Sequence, residues 1–373
     1  MKEISLYIHI PFCIQKCSYC NFYSIPYDAR LAENYIHSLI KEISQHKNRK
    51  NTLTSIYLGG GTASLLSFPH LLSLFSAIND TFSTPPNIEV TFEANPATIT
   101  KDGARNWAIA GINRVSIGVQ SFDDKELNIL SRLHSEKEVD PAVEAVRNHC
   151  TENISLDLMY GIAGQTTETW KTSLEKAVSL NPKHISSYCL SLEKGTPLFE
   201  AQEKYTFPSE KIQSKMYYEM ISFLESNGYF QYEISNFSQV GYESQHNISY
   251  WKGKEYIGCG ASAHSFYDLT RRENIADVQR YISYMQNDQS VCKSKKVISE
   301  REYISDLIFL GLRLTEGVSL SNLKNNFGFD VNAVYSEIIN RFSKLGYLTV
   351  KDDHLKLTKK ALFVSDEILS EFV

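Results

Sequence analysis

The sequence predicts an α/β fold in three parts: a partial (βα)6 barrel, a small mixed region and a C-terminal winged-helix-like domain. Three observations carry this expectation. Six short β-branched runs alternate with longer amphipathic segments from residue 4 to about 190, the pattern of parallel βα units. The regularity falls away over residues 195–300, and beyond 300 three helical stretches precede a hairpin pattern. The expected divisions are 1–195, 196–298 and 299–373, and 373 residues leave room for one large core with an appendage.

In the first part, strands are expected at Ile4–Ile10, Leu53–Leu58, Ile88–Phe92, Arg114–Gly118, Ile154–Met159 and His184–Cys189. Helices are expected at 28–46, 68–80, 100–109, 136–149 and 167–179. Crossovers of one hand curl such units into a barrel or partial barrel, and an open doubly wound sheet has the same patterning. In both, loops at the C-terminal strand ends carry the chemistry. The middle part predicts a helix at 210–227, ending at Asn227-Gly228 where glycine can turn left-handed. After it come Tyr229–Ile234, a polar stretch Ser235–Ser249, a turn at Gly258-Cys259-Gly260, a strand over Ala261–Tyr267 and a short helix at 277–286. Lys293, Lys295 and Lys296 read as the solvated face of a linker. The last part predicts helices at 300–312, 319–325 and 331–344, then Tyr347–Val350, a turn at Asp352-Asp353 and Leu355–Leu357. A winged helix invites a DNA-binding reading, but Arg341 and Lys344 are the only cations on its third helix. A structural or partner-facing cap is expected instead.

A formal charge of −5 argues against a nucleic-acid footprint. No apolar run approaches the roughly 18 residues a membrane span needs; peripheral membrane contact stays open. The first β-like run begins at Ile4, which leaves no room for a signal peptide. Seven cysteines, three of them clustered, do not form a secreted disulfide pattern. These features place the chain in the cytoplasm. Aromatic residues make up 12%, enough for an aromatic core or for a pocket that takes a large flat ligand.

The stretch Cys13-Ile14-Gln15-Lys16-Cys17-Ser18-Tyr19-Cys20 follows the first strand directly. Thiolates select iron–sulfur clusters, zinc or copper(I). Three of them fill three corners of a four-iron cluster and leave one iron open; Phe22 stands where a close fourth cysteine would be. A zinc site would need a fourth ligand. Gly59-Gly60-Gly61-Thr62 after the second strand can bring backbone N–H groups against an anion or amino-acid end. Glu93 ends the third strand and suits an ammonium group. Arg132 can grip a carboxylate, while Gln120 and Asp157 can hold hydroxyls or amides. His246 is a haem-ligand candidate with Tyr250 and Trp251 beside it, although spacing alone fits a histidine hydrogen-bonded at a domain interface. His9 is expected to order the cysteine loop. Cys150, Cys189, Cys259 and Cys292 are expected to be buried apolar residues.

With Tyr19 before its last cysteine, the loop resembles the signature of radical S-adenosylmethionine (SAM) enzymes. More narrowly, Tyr7 through Phe22, Gly59 to Thr62, Asn113 through Phe122 and the Asp157 strand resemble the oxygen-independent coproporphyrinogen III oxidase group, over nearly the whole chain. Two departures, Phe22 in place of a fourth cysteine and only twelve residues ahead of Cys13, resemble its HemW branch of proposed haem chaperones. The motif His246-Asn247-Ile248-Ser249-Tyr250-Trp251 is similar to one in that branch. Ala63 departs from the proline usual after the glycine motif. The resemblance implies a [4Fe–4S] cluster on Cys13, Cys17 and Cys20, with SAM chelating the open iron. It places Tyr7, Tyr19, Gly60, Gly61, Thr62, Glu93, Gln120, Arg132 and Asp157 around that cofactor and haem at His246. It implies transfer of haem to an acceptor protein, with a reductant or electron-donor protein as a further partner. Decarboxylation of coproporphyrinogen III is the other activity in the group, and the same departures count against it.

Overall fold

Ile4, Leu6, Ile8 and Ile10 are fully buried on Glu3–Ile10 (β1), and the residues between them are also largely covered. Burial on both faces is what a central parallel strand requires. The computed structural model describes residues 2–47 and 51–373. Thr52–Gly60 (β2), Glu89–Ala94 (β3), Arg114–Gln120 (β4), Ile154–Tyr160 (β5) and His184–Cys189 (β6) follow β1 side by side, every neighbouring pair parallel. The helices Ala29–Ser44, Phe68–Thr81, Lys101–Ala110 and Val139–His149 pack one on the next in chain order. Crossovers that stay on one side curl the sheet into a partial barrel, and a doubly wound sheet would have split them between two faces.

The two-residue period of the strands sorts the side chains. Leu6, Ile56, Leu58, Phe92, Ile117 and Leu156 turn toward the helices. The alternate positions form an inner polar layer in register: Tyr7 opposite Tyr57, Glu93 opposite Ser116, Gly118 opposite Asp157, and Asp157 opposite Ser186.

The middle region joins this sheet. Phe230–Glu233 (β7) and Asn236–Ser238 (β8) extend it antiparallel beyond β6. Tyr256–Cys259 (β9) lies parallel to β1 on the other side, and His264–Tyr267 (β10), Thr270–Asn274 (β11) and Cys292–Val297 (β12) complete twelve strands. Three expectations are corrected here. The predicted turn at 258–260 is mostly the parallel strand β9. The strand predicted from Ala261 begins only at His264, because Gly260 has φ +107° and Ala261 N–H donates to Tyr35 Oη at 2.9 Å. The lysine run is the exposed edge strand β12, where Lys293 pairs with Glu273 and Lys296 with Glu302; charges on an edge block further strand pairing.

The C-terminal residues have their own core, built on Ile304, Ile308, Leu355 and Phe372. Helices Glu300–Gly311 and Leu320–Phe327 flank the first strand of a three-stranded sheet, Val318–Ser319, which pairs with His354–Leu357, itself paired with Leu348–Lys351. The helix predicted over 331–344 is broken at Tyr335, whose hydroxyl donates to Phe372 O at 3.1 Å.

Glu42 ties the first helix to the middle region. Its carboxylate accepts from Gly260 N–H and Asn274 Nδ2 at 2.7 Å and from Tyr281 Oη at 2.5 Å, and burial pushes it up to about 6. Glu42→Ala strands three buried donors and is expected to cost about 3 kcal/mol of stability. An unchanged unfolding midpoint in denaturant would contradict this role.

Candidate functional site

The cysteine loop is clamped from several sides. Phe12–Cys13 pairs with Ile25–Pro26. Ser18 N–H donates to Leu130 O at 3.1 Å, Ser18 Oγ to Ile129 O at 2.8 Å, and Leu198 N–H to Ser18 O at 2.9 Å. His9 Nε2 meets Tyr23 O at 2.9 Å, so this histidine orders the loop. Cys13, Cys17 and Cys20 line one wall of a cavity of about 420 Å³. Thr62 Oγ1 donates to Cys13 Sγ at 3.7 Å and Arg132 Nη1 to Cys17 Sγ at 3.3 Å. Burial pushes the Cys20 thiol up, and the neighbouring thiols add to the effect. Among the described residues no three His, Cys, Asp or Glu side chains close on a single-ion site.

The other walls of the cavity are strand ends. Gly60, Gly61, Thr62, Glu93, Gln120, Arg132, Asp157 and Tyr19 all reach it. Gly59 packs against the Glu93 carboxyl, where a Cβ would stand 2.7 Å from Cδ. Gly60 has φ +113° and leaves no room for a Cβ beside the His9 ring. Glu93, partly buried, accepts from Tyr57 Oη at 2.7 Å and Gly60 N–H at 3.0 Å; desolvation of its carboxyl pushes it up to about 7. No cation pairs with it among the described residues. Asp157 accepts from Ser116 Oγ at 2.9 Å, and burial raises its carboxyl too. Arg132 Nη2 donates to the Gly118 carbonyl, while its Nε is buried without a partner. Gln120 sits at a bulge between β4 and β5 with φ +67°.

Tyr7 and His246 lie elsewhere, on a second cavity of about 770 Å³ between the sheet and helix Glu300–Gly311. Tyr250, Trp251, Tyr256, Phe266 and Phe309 give it aromatic walls. Asn21, Phe22, Tyr57, Gly60, Glu93 and Asn247 line both cavities, and Phe22 is 69% exposed between them. His246 lies in the first turn of the helix Gln245–Trp251, whose first N–H groups donate to Glu89 at 2.9 and 3.0 Å. Its ring is buried and both nitrogens are taken, Nδ1 by Ser55 Oγ at 2.8 Å and Nε2 by Tyr250 Oη at 2.9 Å. The structure therefore leaves the expected haem ligand no free nitrogen. Burial, helped by Arg114, lowers its pKa to about 3 and keeps it neutral.

Sequence reasoning missed Tyr57, Arg114, Ser116, Ser186 and Tyr188, which also line the smaller cavity. Their signal was present as polar residues at every second strand position. The four scattered cysteines divide: Cys259 is fully buried, Cys150 and Cys189 are partly buried, and Cys292 lies on the edge strand. Burial pushes the Cys150 and Cys189 thiols up to about 12 and about 11.

Residues 7–177 match the Radical SAM superfamily and residues 298–364 the HemN C-terminal domain. The heme chaperone HemW of Bacillus subtilis is 33% identical over 99% of both chains. That of Lactococcus lactis is 34% identical over 100% of this chain and 98% of its own. This chain belongs to the HemW family of the radical SAM superfamily. A zebrafish relative, radical S-adenosyl methionine domain-containing protein 1, mitochondrial, is 30% identical over 98% of this chain and 86% of its own. The fold is that of coproporphyrinogen III oxidase (HemN) from Escherichia coli: TM-score 0.87 at 20% identity, covering 100% of this chain and 90% of that one. Among the described residues no helix is long and apolar enough to cross a membrane.

The superfamily implies a [4Fe–4S] cluster and SAM, and the residues of this HemW-family chain fit both. The thiols share a wall, the partly buried Glu93 carboxyl has no cation among the described residues, and Arg132 has an unspent buried donor. An ammonium requires the charged form of Glu93. SAM affinity is therefore expected to rise with pH from about 6 to 7.5, stopping short of where an α-ammonium itself deprotonates. In Glu93→Gln, binding followed by calorimetry should be weaker and flat over that range. A flat profile for the unaltered protein would exclude Glu93 as the ammonium partner.

Proposed function

We propose that this chain is a cytoplasmic haem chaperone that holds haem beside a [4Fe–4S]–SAM site and passes it to an acceptor protein. The observation that carries the reading is the aromatic cavity of about 770 Å³ sharing a wall with the thiol-lined cavity. Its volume is within the range of about 300–1,000 Å³ usual for ligand sites. The name of relatives that match end to end supports the same reading.

In this reading Cys13, Cys17 and Cys20 hold the cluster, and Glu93 and Arg132 orient the amino and carboxylate ends of SAM. Gly60, Gly61 and Thr62 supply close backbone, and Asp157 and Gln120 meet its ribose or adenine edge. Tyr19, half-buried beside Arg132 and the thiols, keeps water from the cluster. Tyr7 hydrogen-bonds His9 at 3.0 Å and fixes the floor between the two cavities. When bound, the cluster and SAM supply one-electron reducing chemistry, fed by a reductant or electron-donor protein. Phe22 forms part of the partition where a fourth cysteine would stand. His246 braces the haem cavity, while Tyr250 and Trp251 cover the macrocycle.

The full-length likeness in fold to HemN favours a second reading, oxidative decarboxylation of coproporphyrinogen III. Anaerobic reconstitution is expected to give about four irons and four sulfides per chain. Changing the three cysteines to serine should abolish them. The loaded protein should bind one haem and deliver it to an apo haem protein, without forming protoporphyrinogen IX from coproporphyrinogen III. Sustained product formation would reverse the order of the two readings, and absence of haem binding would remove the first.

A further inference from the structure

We infer that His264, rather than His246, ligates the haem iron in the larger cavity; this rests on the chaperone reading above. Iron takes a lone pair from an imidazole nitrogen that has no other commitment. Three histidines line the cavity: His9, His246 and His264. His9 is committed at both nitrogens, to Tyr7 Oη at 3.0 Å and Tyr23 O at 2.9 Å. His246 is committed at both as well, inside a buried network. Freeing either ring would leave a buried hydroxyl or carbonyl unpaired, at a cost that ligation would have to exceed.

His264 differs on each count. It is exposed to the cavity, and neither of its nitrogens has a hydrogen-bond partner among the described residues. Its cross-strand neighbour Glu273 does not claim it, being taken by Lys293 at 2.7 Å and Ser294 at 3.2 Å. Strand register sets its direction. Tyr7 is opposite Gly258 on β9, Tyr256 is opposite Phe266 on β10, and His264 lies two residues before Phe266. All therefore share the inner face of the sheet, where the cavity opens.

The other possible donors are weaker. Among the described residues the cavity wall has no cysteine or methionine. Of the lining phenols Tyr256 alone has no hydrogen-bond partner among the described residues, and burial raises its pKa and favours the protonated form. The surroundings also suit a flat dicarboxylate macrocycle. Trp251, which carries Arg313 on one ring face at 4.5 Å, and Phe266 line the cavity, and Lys254 stands at the wall with no ion-pair partner among the described residues. Ligation is a simple donation: the neutral imidazole gives its lone pair to ferric iron and displaces a weak ligand such as water.

The test is titration of the full-length chain with ferric haem, followed by absorption and magnetic circular dichroism. The unaltered protein should show histidine-type nitrogen ligation. His264→Ala and His264→Gln should both lose that signature and bind about tenfold more weakly or worse, and added imidazole should restore the signature. His246→Ala should keep it. Retention of nitrogen ligation and affinity in both His264 variants would overturn the assignment while leaving the chaperone reading intact. A tyrosinate signature in the unaltered protein would overturn it as well. If the unaltered protein binds no haem, the chaperone reading falls first.

Discussion

The two-residue period of the parallel strands is the constraint on which everything else depends. It sends one set of side chains outward to bury against helices and the other inward to form a polar layer. Burying carboxylates is costly, and Glu93 and Asp157 persist because hydroxyls and backbone N–H groups from neighbouring strands meet them. Those bonds offset only part of the cost, since burial still pushes both carboxyls upward. The remainder is available to a cationic ligand. The pocket is thus polarised in advance for an amino-acid end, with Arg132 supplying the opposite charge near Cys17.

Continuity of the sheet explains how two cavities come to share a wall. On the first six strands the inner layer faces the thiol loop. Strands β9 to β11 carry the same face past β1 to the side where the C-terminal helix Glu300–Gly311 closes over it. Tyr57 shows the junction most plainly: its hydroxyl bonds Glu93 at 2.7 Å, while its ring lies 5.0 Å from that of His246. A ligand in the larger cavity would therefore sit against side chains that also line the thiol-walled cavity, and Phe22 belongs to both walls.

The fold and the first half of the site were legible because both are local in sequence. β-branched runs announced the six strands, and three closely spaced thiols announced the thiol-lined cavity. What escaped depends on distant partners. Gly258-Cys259-Gly260 reads as a turn because of its glycines, yet Gly258 is needed within the strand Tyr256–Cys259: a Cβ there would lie 2.0 Å from His264 O. Arg114 and Ser116 look like polar interruptions until the register places them beside Asp157. The break at Tyr335 follows from its contact with Phe372, 37 residues further on. His246 is the sharpest case. Its motif marks the cavity wall correctly, but only the three-dimensional arrangement shows that Ser55 and Tyr250 occupy its nitrogens.

The central claim is that haem and the iron–sulfur site occupy adjoining chambers of one molecule. An anaerobic crystal structure of the cluster-loaded chain with haem tests it most directly. The macrocycle should lie against Tyr250 and Trp251, separated from the cluster chamber by Phe22 and Tyr57. Haem bound outside this cavity, or thiols of Cys13, Cys17 and Cys20 ligating no common cluster, would contradict it.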